Sequence, residues 1–540
     1  MYIDALFLRF FQDAIHIYII NVSYTGWMRM KRSFIKNTFI LTLTSQLLRV
    51  IGIFLMAYMS GKIGAEGVGL YQLIVSIYML AATFASSGIG IAVSRLTAEA
   101  VGKSGGSSTS NVLRRAVAIS LLLGALFGIM LYLLSDIIGA KWLGDARTVL
   151  SVKALAPGLP FMALTSCLQG YFYGMRKVLK PAGQMMFEQM VRIMLIMLIL
   201  EAFLPKGLEC ACFAIILSCM ISEALSCCFG FILYRIDKRQ SGLAVVNEQG
   251  MTKKIVHISL PIAISSYIRM GLRTAENTMI PAGLRKFGAT SKEALSQFGQ
   301  IGMVMPIIFF PCGILAAVGT LLIPEVSEAH AVKNMKRVQY IFANVFQNTI
   351  LLAVLFCGVF VAFATDFGLL FYQSADIARL LMALAPLVPL IYLDFIVDSM
   401  LNGLNQQFQT LKINILDSVL RIVLIFFLVP KFGMTAYIII LYVSAFLNGT
   451  LSIRRLLITS QTRIPFADWI IKPLLSVAAS AVFVRLLFQF IVGGSAITAW
   501  NLTLKIILMI AVYILLLFIT GSLDKDDVSW FKHMIKGMKK

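Results

Sequence analysis

Two stretches of this chain determine its fold: PGLPFMALTSCLQGYFYGMRKVLKPAGQMMFEQMVRI at residues 157–193 and PLVPLIYLDFIVDSMLNGLNQQFQTLKINILDSVLRI at residues 386–422. The two stretches align without a gap at an offset of 229. The matching positions are Pro157 with Pro386, Pro160 with Pro389, Gly174 with Gly403, Glu188 with Asp417 and Arg192 with Arg421. Because several unrelated residue types coincide at one offset, the chain contains an internal repeat.

The same offset extends the repeat toward the N-terminal side of both stretches. Gly90 matches Gly319, and Glu99 matches Glu328. Each copy contains six apolar runs, an even number, so the two copies run parallel and are related by an axis along the membrane normal. This arrangement predicts two six-helix lobes that face each other across a cavity near the midplane, which is the plan of an alternating-access transporter.

The composition indicates that the chain lies in a membrane. Hydrophobic residues make up 59% of the sequence and charged residues 13%, and the mean hydropathy is +0.87. Soluble globular proteins carry about 25% charged residues. Fourteen apolar runs have roughly the 20 residues that a helix needs to cross the hydrocarbon. They lie at 35–59, 68–93, 112–138, 152–174, 183–203, 208–234, 255–282, 297–323, 340–363, 381–404, 411–429, 433–457, 469–493 and 501–521. We therefore predict an all-α integral membrane protein with about fourteen spans.

The net charge of +22 is explained by membrane topology rather than by nucleic acid. With fourteen spans, both termini lie on the same side, and that side holds 29 Lys and Arg residues against 11 on the other. Basic loops stay on the cytoplasmic side of a bilayer. The prediction is a multi-pass protein of the cell membrane with both termini cytoplasmic and with no nucleic-acid partner.

The repeat and the charge pattern together give the predicted boundaries. These are a leader of uncertain status at 1–29, a first lobe at 30–234, a cytoplasmic linker at 235–254, a second lobe at 255–457, two further helices at 466–521 and a basic cytoplasmic tail at 522–540. No metal site, cofactor motif or catalytic constellation is expected, because the eight cysteines and four histidines lack ligand-like spacing.

Four further motifs carry a resemblance to a known family. They are KNTFILTLTSQLLRVIGIF at 36–54, GAEGVGLYQL at 64–73, GIAVSRLTAE at 90–99 and LIPEVSEA at 322–329. With these motifs the chain resembles the polysaccharide-biosynthesis branch of the multidrug/oligosaccharidyl-lipid/polysaccharide exporters, over roughly residues 30–520. The resemblance implies a MATE-like fold of fourteen helices. It also implies a flippase, not an enzyme, that moves an anionic lipid-linked cell-wall or polysaccharide precursor outward through the bilayer. Cell-wall synthesis enzymes are possible partners.

Two acid–base pairs recur in both copies of the repeat. Glu188 precedes Arg192, and Asp417 precedes Arg421, each by four residues. This spacing places both side chains on one helical face. Since the pairs occupy equivalent positions in the two lobes, we interpret them as structural ion pairs.

Three arginines inside predicted spans form a different group. Arg49 lies in the first span without an acid within a turn, and Arg269 is its counterpart in the seventh span at an offset of 220. Arg273 follows Arg269 on the same helical face, with Glu276 as a local partner. A planar guanidinium matches phosphate oxygens in a bidentate manner. We expect this group, with Glu276, to bind the phosphate of a lipid-linked substrate; interhelical or local pairing is the structural alternative.

Two acids on the tenth span belong to the second lobe alone. Asp394 and Asp398 lie four residues apart, and their repeat partners are Thr165 and Gln169. Two carboxylates on one face can bind a cation or share a proton. They are therefore candidates for a proton- or sodium-coupling site, or else partners for arginines elsewhere in the chain.

Two other functions remain open on this pattern. A cation-coupled multidrug exporter of the same superfamily would favour acids and aromatics in its cavity, whereas the first span offers the unpaired Arg49. A non-transporting scaffold or a glycosyltransferase of envelope synthesis is the other alternative. A glycosyltransferase needs an external loop with carboxylates and a metal or a base, and the predicted external loops are short.

Overall fold

The computed structural model describes residues 2–104, 108–241, 250–460, 467–492 and 498–522, with side chains described at 40–102, 108–239, 250–316, 318–320, 322–460, 469–490 and 498–522. All regular elements in this part of the chain are helical. A helix pairs its backbone N–H and C=O groups within one segment, as a hydrocarbon environment requires. The side chains of the predicted leader, the middle of the linker and nearly all of the tail lie outside the described residues.

Seventeen α-helices occupy the described ranges. In chain order they are α1 (Tyr2–Ser86), α2 (Ile89–Ser104), α3 (Thr109–Asp136), α4 (Val149–Leu155), α5 (Gly158–Gly174), α6 (Leu179–Phe203), α7 (Leu208–Ser241), α8 (Met251–Phe287), α9 (Ser291–Phe309), α10 (Cys312–Ala331), α11 (Met335–Ala362), α12 (Ala364–Tyr372), α13 (Ala375–Leu384), α14 (Val388–Gly403), α15 (Gln407–Ser460), α16 (Lys472–Val492) and α17 (Ala499–Ile519). Short 3-10 or π turns continue or join several of them.

Helix α15 is a hairpin of two antiparallel arms. Its 54 residues would extend about 80 Å if straight, far more than the bilayer thickness. Gly433 has φ 61° and ψ −143°, outside the helical region, and it separates the arms. Asp417 accepts a hydrogen bond from Ser444 at 2.5 Å, and Arg455 donates to Gln406 at 2.6 Å. These paired positions are centred near Gly433, so the chain reverses there.

Helix α1 contains the second hairpin, at Gly64 (φ 68°, ψ 179°). The arms before and after Gly64 both pack against α9. The contacts are Ser60 with Met303 and Arg49 with Phe309 before the break, and Gly69 with Leu295 and Gln72 with Gly302 after it. The first arm therefore runs antiparallel to α9 and the second arm parallel to it, which requires a reversal at Gly64.

The all-α, multi-pass fold predicted from the sequence is confirmed. Among the described residues, ten helical stretches are long and apolar enough to cross a membrane, or eleven when α4 and α5, bent by 46°, count as one span. Two of the ten, Ile40–Gly102 and Gln407–Ser460, contain the hairpins and supply two crossings each. Helix α6, which carries the Glu188–Arg192 pair, coincides with the span predicted at 183–203. Each of the fourteen predicted spans overlaps a described helix or hairpin arm.

The last two helices are attached to the end of α11 and the start of α12 by charged side chains. Arg485 of α16 donates to the Ala362 carbonyl at 2.6 and 3.1 Å. Lys505 of α17 forms an ion pair with Asp366 at 3.0 Å. Both basic groups thus find acceptors inside the protein, and α16 and α17 are held against the second half of the bundle. The division into two lobes with these helices outside the repeat stays a prediction.

We predict that Gly433→Ala destabilises the protein, because alanine disfavours φ 61° and its Cβ would lie 2.9 Å from the Phe287 ring. Such backbone strain costs about 1–3 kcal/mol. The matched control is Gly271→Ala, since a Cβ there meets nothing within 4 Å. Thermal unfolding of the purified protein in detergent measures both. Equal melting temperatures for the two variants would contradict the assignment of Gly433 as the hairpin turn.

Candidate functional site

A polar cluster lies inside the first half of the bundle, between α1, α6 and α7. On α6, Glu188 and Arg192 form the predicted ion pair one turn apart. Arg192 also donates to Gln189 at 3.3 Å and to Ser222 at 3.4 Å. The structure thus contains the ion pair predicted from the sequence, and a hydrogen bond connects Arg192 to α7.

Glu223 is the second acid of this cluster, and the sequence reading missed it. It lies on α7, the residue is 7% exposed, and it accepts a hydrogen bond from Tyr78 Oη of α1 at 2.9 Å. The available signal was a single carboxylate within an apolar run, ISEALSCC, at 221–228. An ionisable residue inside a span is a functional candidate by default. The i, i+4 spacing that identifies the other pairs does not reveal Glu223, because its partner lies on another helix.

These groups line a cavity of about 470 Å³. Its polar lining residues are Tyr71, Tyr78, Ser86, Thr165, Ser166, Gln169, Glu188, Gln189, Arg192 and Glu223, and methionine, leucine, valine, isoleucine and cysteine side chains complete the wall. A cavity that combines amides, hydroxyls, two acids and one arginine can hydrogen-bond a hydroxyl-rich or charged ligand.

An equivalent cluster lies in the second half of the bundle. Arg421 of α15 forms ion pairs with Asp417 and with Glu276 of α8, both at 3.2 Å. Ser444, on the other arm of α15, donates to Asp417 at 2.5 Å. The predicted Asp417–Arg421 pair is present. Glu276 pairs across helices with Arg421, whereas the sequence had suggested Arg273 as a local partner.

Asp394 and Asp398 of α14 are linked through two asparagines of α15. Asn448 donates to Asp394 at 3.2 Å and to the side-chain oxygen of Asn414 at 3.3 Å, and Asn414 donates to Asp398 at 3.3 Å. Oδ1 of each aspartate is buried without a hydrogen-bond partner, and neither carboxylate ion-pairs with a basic group of the described chain. Arg421 lies near enough to Asp394 to interact with it electrostatically, so the arginine-partner alternative stays open beside the coupling site. Asn414 and Asn448 were not identified from the sequence.

The three predicted phosphate-binding arginines lie on α1 and α8. Arg49 donates to the Phe309 carbonyl of α9 at 3.0 Å. Arg269 and Arg273 are exposed on α8, and with Glu276 they follow the i, i+4, i+7 spacing of one helical face. Across the described residues, none of the three forms an ion pair within 4 Å. The structure places Arg269 and Arg273 together and gives Arg49 a separate contact with α9.

Comparison with known proteins confirms the resemblance. Residues 34–281 match the family of polysaccharide biosynthesis proteins. Within the exporter branch, the sequence motifs resemble those of stage V sporulation protein B, and that protein of Bacillus subtilis (strain 168) is 26% identical over 509 residues, covering 92% of this chain and 97% of the relative. Lipid II flippase MurJ of the same organism is 22% identical over 461 residues, covering 79% and 83%.

The chain shares its fold with solved structures. An inward-facing multidrug resistance MATE family transporter of the MOP superfamily superposes with a TM-score of 0.60 at 16% identity, covering 78% of this chain and 96% of that structure. The predicted MATE-like fold is therefore confirmed. The activities named among these relatives are flipping and transport.

We predict that Arg421→Gln destabilises the protein strongly, because it leaves Glu276 and Asp417, 7% and 6% exposed, without their cation. Breaking such a buried pair costs about 3–5 kcal/mol. The control is Arg379→Gln, whose side chain is 80% exposed beside Asp376, and whose loss costs about 0–1 kcal/mol. Thermal unfolding in detergent distinguishes them. If Arg421→Gln melted with Arg379→Gln, the cluster would not have the stabilising role assigned to it.

Proposed function

We propose that this multi-pass membrane protein is a flippase for a polyprenyl-diphosphate-linked cell-wall or polysaccharide precursor. It moves the head group outward by alternating access between two six-helix lobes, with both termini cytoplasmic. The similarity to a lipid II flippase and to polysaccharide biosynthesis proteins supports this activity. The similarity to a stage V sporulation protein favours spore cortex peptidoglycan as the destination of the cargo. Enzymes that polymerise the exported precursor are the expected partners.

One observation carries the choice of an anionic head group. Among the described residues, Arg269 and Arg273 form no ion pair within 4 Å, and Glu276, which shares their helical face, pairs with Arg421 at 3.2 Å. An uncompensated guanidinium in a span is costly unless a ligand or water supplies the counter-charge. A diphosphate supplies it through charge-assisted bidentate hydrogen bonds. Arg49, on the helix related by the repeat, is the third member of this site.

The coupling site of the proposed cycle is the pair Asp394 and Asp398. Each aspartate has one buried oxygen without a hydrogen-bond partner, and two asparagine side chains connect the carboxylates. Carboxylate and amide oxygens suit a hard cation such as sodium, and a proton can equally occupy a buried carboxylate. Binding of either ion removes the cost of the unpartnered oxygens and can bias one lobe arrangement.

A second candidate function is a cation-coupled multidrug exporter. The observation that favours it is the cavity of about 470 Å³, whose wall contains two acids, Glu188 and Glu223, and one arginine, Arg192. A net negative wall attracts an organic cation and repels a phosphate. The two functions therefore differ in which charged residues the cargo requires.

We predict that Arg49→Ala, Arg269→Ala and Arg273→Ala each lower transport of the lipid-linked precursor about tenfold or more. A hydrogen bond to a charged group contributes about 1.5–3 kcal/mol, and 1.4 kcal/mol is a factor of ten. Lysine at the same positions restores only part of the activity, since an ammonium lacks the planar fork. The measurement is precursor translocation in proteoliposomes, with Arg379→Ala as the exposed control.

The contrary result is full transport by all three alanine variants at normal expression. If these variants transported normally while Glu223→Gln abolished export of a cationic dye, the multidrug exporter would replace the flippase as the preferred function.

We predict that Asp394→Asn and Asp398→Asn uncouple transport from its driving ion. Flux measured with an imposed proton or sodium gradient should rise above the no-gradient level in the unmodified protein and stay at that level in both variants. Asp376→Asn, an exposed acid paired with Arg379, serves as the control. A flux that neither gradient changes in the unmodified protein removes the coupling role.

A further inference from the structure

A polar groove of about 570 Å³ lies at one end of the second half of the bundle. We call it the outer groove, and it is lined by the first turns of α9 (residues 293–300), by α13 (residues 376–383) and by the start of the second arm of α15 (residues 434–438). These segments follow the seventh, ninth and eleventh predicted spans. With both termini cytoplasmic, as proposed above, the groove therefore opens at the outer face of the membrane.

The first turns of α9 present different faces to two neighbours. Gly299 lies against α1, where an added Cβ would be 2.0 Å from the Ala65 carbonyl oxygen. The groove is lined by the residues that follow the i, i+3, i+4, i+7 spacing of one helical face, Glu293, Ser296, Gln297 and Gln300. Deeper in the bundle, Tyr372 of α12 donates to the Met303 carbonyl at 2.9 Å. The polar face of α9 is thus limited to its outer end.

The charged groups of the outer groove already have partners within the protein. Glu293 accepts hydrogen bonds from the backbone N–H and the hydroxyl of Thr290, both at 2.9 Å, as part of the cap of α9. Asp376 and Arg379 form an ion pair with each other on α13. Because these charges are compensated without a ligand, the groove does not require an ion.

The neutral polar groups of the outer groove are available to a ligand. Ser296, Gln297 and Gln300 are partly exposed, and none of their side chains hydrogen-bonds to another residue in the part of the chain that the structure describes. Each glutamine amide offers two donors and one acceptor, and the serine hydroxyl can donate and accept. The remaining lining is apolar and consists of Leu380, Ala383, Met434 and Ile438. A matching ligand has hydroxyl and amide groups on one edge and C–H groups on the other.

We propose that the outer groove binds a neutral saccharide with hydroxyl and amide substituents, the glycan of the exported precursor, through Ser296, Gln297 and Gln300. The proposal rests on the flippase function given above, since that function delivers a glycan to this face. Arg273 precedes the end of α8 at Phe287 by fourteen residues, about 20 Å along the helix. The arginines therefore contact the diphosphate during passage, and the outer groove binds the glycan afterwards.

The test measures saccharide binding by the full-length protein in lipid nanodiscs. The probe is N,N′-diacetylchitobiose, a neutral disaccharide, and saturation-transfer difference NMR gives its Kd. Gln297→Leu and Gln300→Leu remove an amide and keep the bulk of the side chain. Each should weaken binding about twofold to tenfold, the effect of losing one hydrogen bond. Gln489→Leu, at an exposed glutamine of α16 outside the groove, should keep the unmodified Kd.

Two further measurements locate the site and define its ligand. Ala383→Trp fills the groove from an exposed position of α13, so it should abolish binding without removing any hydrogen-bonding group. Pyrophosphate in excess should not displace the disaccharide, because the one guanidinium of the groove is paired with Asp376. Gln169→Leu tests the cavity of about 470 Å³, whose lining includes the same type of amide.

The outcomes separate the outer groove from the proposed flippase. Absence of disaccharide binding to the unmodified protein overturns the groove, even if precursor translocation is normal. Binding that Ala383→Trp and both glutamine variants leave unchanged, or that only Gln169→Leu removes, also overturns it, as does displacement by pyrophosphate. Weaker binding in the groove variants, with Gln489→Leu unchanged, supports the groove even if the protein translocates no lipid-linked precursor.

Discussion

The structure depends on one constraint, that polar groups within the bilayer must find their partners inside the protein. Arg192 and Arg421 show how the chain meets it. Each arginine is paired with an acid one turn earlier on its own helix, and each has a further polar partner on another helix. These clusters let charged side chains remain in an apolar bundle. The same constraint makes Arg269 and Arg273 informative, since neither forms an ion pair in the part of the chain that the structure describes.

The two copies of the repeat have kept this framework and changed what surrounds it. The first cluster takes its second acid, Glu223, from α7, whereas the second takes Glu276 from α8. Thr165 and Gln169 occupy the positions that hold Asp394 and Asp398 in the other copy. Duplication therefore supplied two similar scaffolds, and substitution added two carboxylates, Asp394 and Asp398, to the second one alone.

Features that depend on residues close together in the chain could be predicted from the sequence, whereas contacts between distant residues could not. Helix period and residue spacing determine the spans, the repeat and the Glu188–Arg192 and Asp417–Arg421 pairs. These features could therefore be predicted from the sequence alone. The bond from Tyr78 to Glu223 and the link from Arg421 to Glu276 join residues 145 positions apart. These contacts depend on how the helices pack against one another, and a local sequence pattern does not contain that information. The chain reversals at Gly64 and Gly433 were predictable in part. The predicted spans end near each glycine, but the sequence did not indicate that the helix continues up to the turn.

The attachment of α16 to α11 has a consequence for biosynthesis. An arginine in the middle of an isolated span raises the free energy of insertion by about 2.5–3.5 kcal/mol. Arg485 recovers part of this cost only when the Ala362 carbonyl oxygen is in place to accept its two hydrogen bonds. Because α11 is synthesised more than a hundred residues earlier, its end is available when α16 leaves the ribosome. The order of translation thus supplies the acceptor before the donor enters the bilayer.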